Sequence, residues 1–225
     1  MASVDEVKLQ LVRAARALFD HGVMSHSGHG NLSARVDGER LVITSVGQIR
    51  DLSPADLAVV TLDGKVLEGH LDPSTSEIVA MHTGVYRTRE GVGSVIHTHS
   101  PNVTVFAVAN QPLPSAYEAM LRFGVTDAVP VAPWAPRGSR ESVTNITDQM
   151  RSHPSVPAVL LGNHGLLAFT DDAVGTARLI VAMEEGAELV LKARAALGGE
   201  KPFPAGAFEK ELAHMAAHGS RPGGR

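Results

Sequence analysis

Two histidines one residue apart, His97 and His99, close the apolar run that begins at Val92, and a third, His164, lies inside the apolar segment 158–169. Strand side chains alternate faces, so imidazoles at i and i+2 project to the same side and can share one metal ion. With 11 His among 225 residues, composition alone yields about 0.5 such pairs, so the spacing by itself decides nothing. Its context adds more: the pair ends a strand-like run and precedes Ser100-Pro101. That is the carboxyl end of a strand, where open α/β sheets bind ligands, and burying two unpartnered imidazoles would be costly. His164, flanked by Asn163 and Gly165, is either a core histidine bonded to a carbonyl or the third nitrogen of a site that leaves one metal position open.

Three further segments can meet an anion. Ser74-Thr75-Ser76-Glu77 brings hydroxyls and the free N–H groups of a helix start together, although Ser or Thr capping with Glu in the first turn is the ordinary reading of such text. Gly28-His29-Gly30-Asn31-Leu32-Ser33 combines glycines that allow close backbone approach with Asn31 and Ser33 as donors. Thr44-Ser45-Val46-Gly47 ends a strand with hydroxyls and a glycine.

The elements that must position these residues follow from periodicity. Val7, Leu11, Val12, Ala15, Leu18 and Phe19 recur at helical spacing, with Gly22 available beyond the end. Asp37-Gly38 and Asp63-Gly64 separate alternating segments and predict two hairpins, with Ser53-Pro54 starting a helical turn between them. From residue 74 strand and helix alternate: a helix to about Arg89, a strand over 92–99, a helix from Pro101, a short strand at 129–131, and a polar helix from Ser139 to about Arg151. A strand pair broken at 162–165 follows, then a long helix capped by Asp171 or Asp172 and running to about Leu197. The Pro- and Gly-containing end, above all 210–225, reads as a flexible tail, and the whole of 1–225 as a single α/β domain.

Composition narrows the function. A 23.7 kDa chain with 44% hydrophobic residues can bury a core without a metal or disulfide staple. The absence of cysteine removes thiolate nucleophiles and sulfur ligands. Net charge −4 without a basic block gives no footprint for nucleic acid or an anionic membrane. The start lacks a basic and apolar leader, and no stretch of about 18 apolar residues occurs, so the expectation is a soluble cytoplasmic protein.

In this order, Gly30-Asn31-Leu32-Ser33-x-Arg35, Ile43-Thr44-x-x-Gly47, Ser74-Thr75-Ser76-Glu77, Val95-Ile96-His97-Thr98-His99-Ser100-Pro101 and Asn163-His164-Gly165-Leu166 resemble the class II aldolase/adducin family over about residues 5–195. The resemblance implies a three-layer α/β/α fold around a mostly antiparallel sheet, and a homotetramer with interfacial active sites. It implies that His97, His99 and His164 bind Zn2+, with Mn2+ or Co2+ able to replace it. Glu77 would be the acid/base, and Gly30, Asn31, Gly47, Thr75 and Ser76 would hold a substrate phosphate. The implied reaction cleaves a ketose 1-phosphate, such as L-fuculose 1-phosphate or a 5-deoxypentulose 1-phosphate, to dihydroxyacetone phosphate and an aldehyde. The enediolate left by that cleavage has two oxygens that suit a Lewis-acidic cation.

Three departures from the family text bear on this. Val46 stands where the aldolases place Ser or Thr, leaving Ser45 as replacement anchor. The spacing from Glu77 to His82 is one residue longer than usual. The chain has Tyr86 and Tyr117 as its only tyrosines, of which Tyr117 lies nearer the position expected for the residue handling the aldehyde oxygen. The same resemblance permits a sugar-phosphate decarboxylase, a 4-epimerase, a methylthioribulose-1-phosphate dehydratase, or an adducin-like interaction module without catalysis.

Overall fold

A computed structural model of the chain describes residues 2–219, leaving out the side chains of Ser74 and Ser76. Helix α1 (Val4–Asp20) starts at a reciprocal cap: Ser3 Oγ accepts from Glu6 N at 3.2 Å while Glu6 Oε2 accepts from Ser3 N at 2.7 Å. Strands β1 (Gly30–Arg35) and β2 (Arg40–Thr44) form the hairpin expected at Asp37-Gly38. After a 3-10 turn at Pro54–Asp56, β3 (Leu57–Thr61) and β4 (Val66–Glu68) form the second, with a bulge at Val59/Val60. Then come α2 (Pro73–Thr88), β5 (Ser94–Thr98), α3 (Pro101–Val108), α4 (Glu118–Arg122), β6 (Val131–Ala132) and α5 (Arg140–Ser152). The chain closes with β7 (Ala158–Leu161), β8 (Gly165–Thr170), α6 (Ala173–Leu197) and α7 (Ala207–Ala217).

Among the described residues eight strands lie in the order β4-β3-β2-β1-β5-β8-β7-β6, every pair antiparallel except β6 with β7. Period-two alternation divides them into two faces. Leu32, Val42, Ile96, Leu166 and Ala168 point into one core with α1, α3 and α6. Leu41, Ile43, Val95, Leu167 and Phe169 point into another with residues of α2 and α5, among them Ile78, Val85, Ile146 and Met150. These are the three layers of the expected fold. Each fully buried Leu, Ile or Phe is worth ~1.5–3 kcal/mol, so these two cores are the main favourable term that holds the layers together.

Two details differ from the sequence reading. Helix α2 begins at Pro73, with Asp72 rather than a serine at the N-cap, because Pro is pre-organised for the first helical position. The segment expected as a flexible tail is helical over Ala207–Ala217, buries Met215, and pairs Glu211 with Arg122 at 3.3 Å. Phe208, Leu212 and Met215 give it an apolar side at helical spacing that the prolines before it obscure. Residues 220–225 of that tail lie outside the described residues. Among the described residues no helix is long and apolar enough to cross a membrane.

Candidate active site

The site sits where the carboxyl end of β5 meets the amino end of β1 and the β7–β8 turn. His97 lies on the β5 face shared with Val95, 3% exposed, and its Nδ1–H donates to the Leu166 carbonyl of β8 at 2.8 Å. That bond leaves the Nε2 lone pair directed at His99 Nε2, 3.1 Å away. His164 joins them from the turn: the ring centroids are 4.8 Å (97–99), 4.7 Å (97–164) and 5.0 Å (99–164) apart.

Two features hold that turn in place, one against α3 and one against β5. Asn163 adopts φ +56°, with its N–H donating to the Ala107 carbonyl at 2.9 Å. At Gly165 a Cβ would lie 2.5 Å from the Thr98 carbonyl oxygen and 2.9 Å from the His99 ring, so glycine is needed for the close approach.

The three imidazoles fit a divalent cation. One nitrogen from each lies within 4.8 Å of the others, and two nitrogens on one tetrahedral zinc would be about 3.3 Å apart, close to the 3.1 Å between His97 and His99. Burial holds His97 well below its ordinary pKa, and the neighbouring imidazoles add to this. Burial, then His164, lowers His99 to about 4, and burial with the Arg137 charge lowers His164. Neutral imidazole is the form that binds metal.

A cavity of about 400 Å³ opens over the triad, lined on one side by Gly30, Asn31, Val46, Gly47 and Thr75, on another by Glu77, Trp134, Arg137 and Gly138. Asn31 is the register partner of His97 across β1 and β5. Gly30 tolerates no side chain, since a Cβ there would meet the His97 carbonyl oxygen at 2.9 Å. The two glycine-containing loops are joined by the His29/Gln48 bridge and by Gly30 N donating to the Gly47 carbonyl at 3.2 Å. Glu77 is half exposed at the rim, its Oε2 3.2 Å from Arg137 Nε.

Several expected site residues take other positions. Ser45 is buried behind the wall and does not line the cavity; its neighbour Val46 does. The Ser45 carbonyl accepts from Thr75 Oγ1 at 2.9 Å and from Asp72 N at 3.2 Å, which ties the start of α2 to the end of β2. Thr75 reaches the cavity wall with its hydroxyl proton engaged in that tie and with the Asp72 carbonyl at 2.8 Å. The Ser76 side chain lies outside the described residues. Tyr117 is not among the residues lining the cavity: it precedes α4, its hydroxyl 3.5 Å from Glu185 on α6.

Residues that the sequence reading did not single out complete the site. Trp134, Arg137 and Gly138 form a wall whose only sequence signal is the Pro- and Gly-containing run 133–138. Glu184 of α6, buried, accepts from Asn102 N at 2.7 Å and Val103 N at 2.9 Å. It thereby caps α3 directly after His99 and Ser100.

Residues 9–191 match the model of the family described as Class II Aldolase and Adducin N-terminal domain, and the chain belongs to that family. Among relatives, it is 29% identical to methylthioribulose-1-phosphate dehydratase of Sorangium cellulosum (strain So ce56), over 81% of this chain and 90% of that protein. It is 31% identical to 5-methylthioribulose-1-phosphate/5-deoxyribulose-1-phosphate aldolase of Rhodospirillum rubrum, over 79% of this chain and 77% of that one. A solved L-fuculose 1-phosphate aldolase superposes with a TM-score of 0.82 at 28% identity, covering 96% of this chain and 98% of the other.

Proposed function

We propose that the protein is a zinc-dependent aldolase that cleaves a ketose 1-phosphate to dihydroxyacetone phosphate and an aldehyde, assembled as a homotetramer. The observation that carries this reading is one cavity holding three clustered imidazoles, a carboxylate at the rim and, beside them, the glycine loops with Asn31. Zinc held by His97, His99 and His164 supplies Lewis acidity toward the substrate's oxygens. Gly30, Gly47 and Asn31 bind the phosphate, and Thr75 fixes the helix start beside it; this holds the reacting carbons over the triad. The C4 hydroxyl gives its proton to the Glu77 carboxylate as the C3–C4 bond breaks to release the aldehyde. Glu77, oriented by Arg137, delivers a proton to C3, which becomes the hydroxymethyl carbon of dihydroxyacetone phosphate.

The test needs no knowledge of the aldehyde. Zinc-loaded protein in heavy water is expected to exchange a hydroxymethyl hydrogen of dihydroxyacetone phosphate for deuterium, read by NMR. Chelation and Glu77→Gln are each expected to abolish it. A folded, zinc-replete protein that exchanges nothing would sink the aldolase reading.

One observation favours a second reading, a dehydratase acting on a 5-substituted ribulose 1-phosphate. The cavity of this chain has no tyrosine among its lining residues, and Val46 replaces a hydroxyl there. Loss of water from 5-methylthioribulose 1-phosphate, with no aldehyde formed, would select it.

A further inference from the structure

Beneath the phosphate end of the cavity runs a buried chain of side chains that the proposed chemistry leaves unused. His82 of α2 is completely buried; its Nε2 is 2.6 Å from Asn31 Oδ1 and its Nδ1 is 2.6 Å from Ser33 Oγ. Ser33 Oγ is in turn 2.8 Å from the hydroxyl of Tyr86, also buried. The donors and acceptors can be assigned in one direction. An amide oxygen only accepts, so His82 Nε2 carries the hydrogen and donates to Asn31. Nδ1 then offers a lone pair to the Ser33 O–H, and the Ser33 oxygen accepts from the Tyr86 O–H. Ser33 is the one hydrogen-bond partner of the Tyr86 hydroxyl among the described residues. Burial keeps the ring singly protonated, its pKa held down to about 3.

The opposite direction fails at its far end. With the Asn31 amide turned over, Nε2 would accept, Nδ1–H would donate to Ser33, and Ser33 would donate to Tyr86. The buried Tyr86 hydroxyl would then accept from Ser33, and its own hydrogen would be left without an acceptor among the described residues, a costly arrangement. Asn31 lines the cavity, so the allowed direction leaves its Nδ2 hydrogens turned toward whatever anion enters. A freely turning amide would spend part of its time presenting an oxygen there.

We propose that His82 is a positioning residue for the substrate's phosphate: it locks the Asn31 amide with its N–H groups toward the cavity, in a sense dictated through Ser33 by Tyr86. This rests on the sugar-phosphate reading above. A purely structural buried histidine would affect stability and leave anion binding to Asn31 alone.

Two measurements on the full-length, zinc-loaded protein test it. The first needs no variant: the ¹⁵N spectrum of histidine-labelled protein is expected to show His82 as the neutral Nε2–H tautomer from pH 5 to 8. An Nδ1–H tautomer or an imidazolium would overturn the proposal. The second is a double-mutant cycle read by calorimetric titration with dihydroxyacetone phosphate, with zinc content and thermal midpoint recorded for each variant. Asn31→Ala and His82→Leu are each expected to weaken binding about tenfold, the loss of one hydrogen bond to an anion. Asn31→Ala/His82→Leu should be no weaker than Asn31→Ala, and His82→Gln, which retains a nitrogen donor toward Asn31, should stay within about threefold of the parent. Costs that multiply in the double variant, or His82→Leu binding as the parent does, would overturn the positioning role alone. Failure of the parent protein to bind dihydroxyacetone phosphate would remove both this role and the proposed function.

Discussion

Deleting one imidazole separates holding a metal from holding the fold. His99 lies beyond the end of β5 and is only partly buried, so His99→Ala opens no core cavity. Its expected outcome is an unchanged far-UV circular dichroism spectrum, zinc content near zero by atomic absorption, and turnover lowered by at least about 100-fold, beyond the range for losing an outer-shell partner. His82 differs, because it is buried and neutral. Its ordinary pKa is 6.5 and its folded value about 3, so between these the unfolded chain binds more protons than the folded one. Stability conferred by this residue is therefore complete above pH 6.5 and falls on acidification at about 1.4 kcal/mol per pH unit. Urea titrations from pH 7 to 4 are expected to show a shallower loss for His82→Gln than for the parent; parallel curves would contradict this.

At the scale of elements, a carboxylate on one helix holds the start of another. Glu184 of α6 fills both leading N–H groups of α3 and the Asn102 side-chain amide, and His99 precedes that start by two residues. Glu184→Ala strands buried donors and is expected to cost about 3 kcal/mol in urea unfolding and to weaken zinc retention in a chelator competition. Glu184→Gln should lose less, since one oxygen still accepts. Nothing in the sequence announces this pairing, because Asn102 and Glu184 are far apart along the chain and neither repeats with a period. The strands, by contrast, were legible, since Asp-Gly turns and alternation act over a few residues. The closeness of His97 and His99 was legible from their spacing of two residues, although only His97 lies within β5 and His99 follows its end. Ser45 was offered in place of the hydroxyl that Val46 lacks, whereas the chain turns Ser45 inward and lines the cavity with Val46. Arg137 and His82 reach the site through tertiary packing, which periodicity does not encode.

For the whole molecule, Tyr117 poses the sharpest question. It stands at the N-terminal edge of α4 against α6, and the cavity of its own chain is lined by other residues. A tyrosine so placed can serve the chemistry only if another copy of the chain brings it to a neighbouring cavity, which agrees with the proposed tetramer. Light scattering on the eluting protein is then expected to give four times the 23.7 kDa chain mass. If the tyrosine acts across an interface, Tyr117→Phe and His99→Ala are each inactive alone but defective in different halves of a shared site. Mixing them under conditions that exchange subunits should restore activity toward about a quarter of the parent value, the fraction of sites that receive both intact halves in a closed symmetric assembly. Full activity of Tyr117→Phe alone would remove that tyrosine from the reaction. No recovery on mixing, with exchange verified by mass spectrometry, would confine the working residues to the single chain, where the cavity walls already bring Glu77, Arg137 and the histidine triad together.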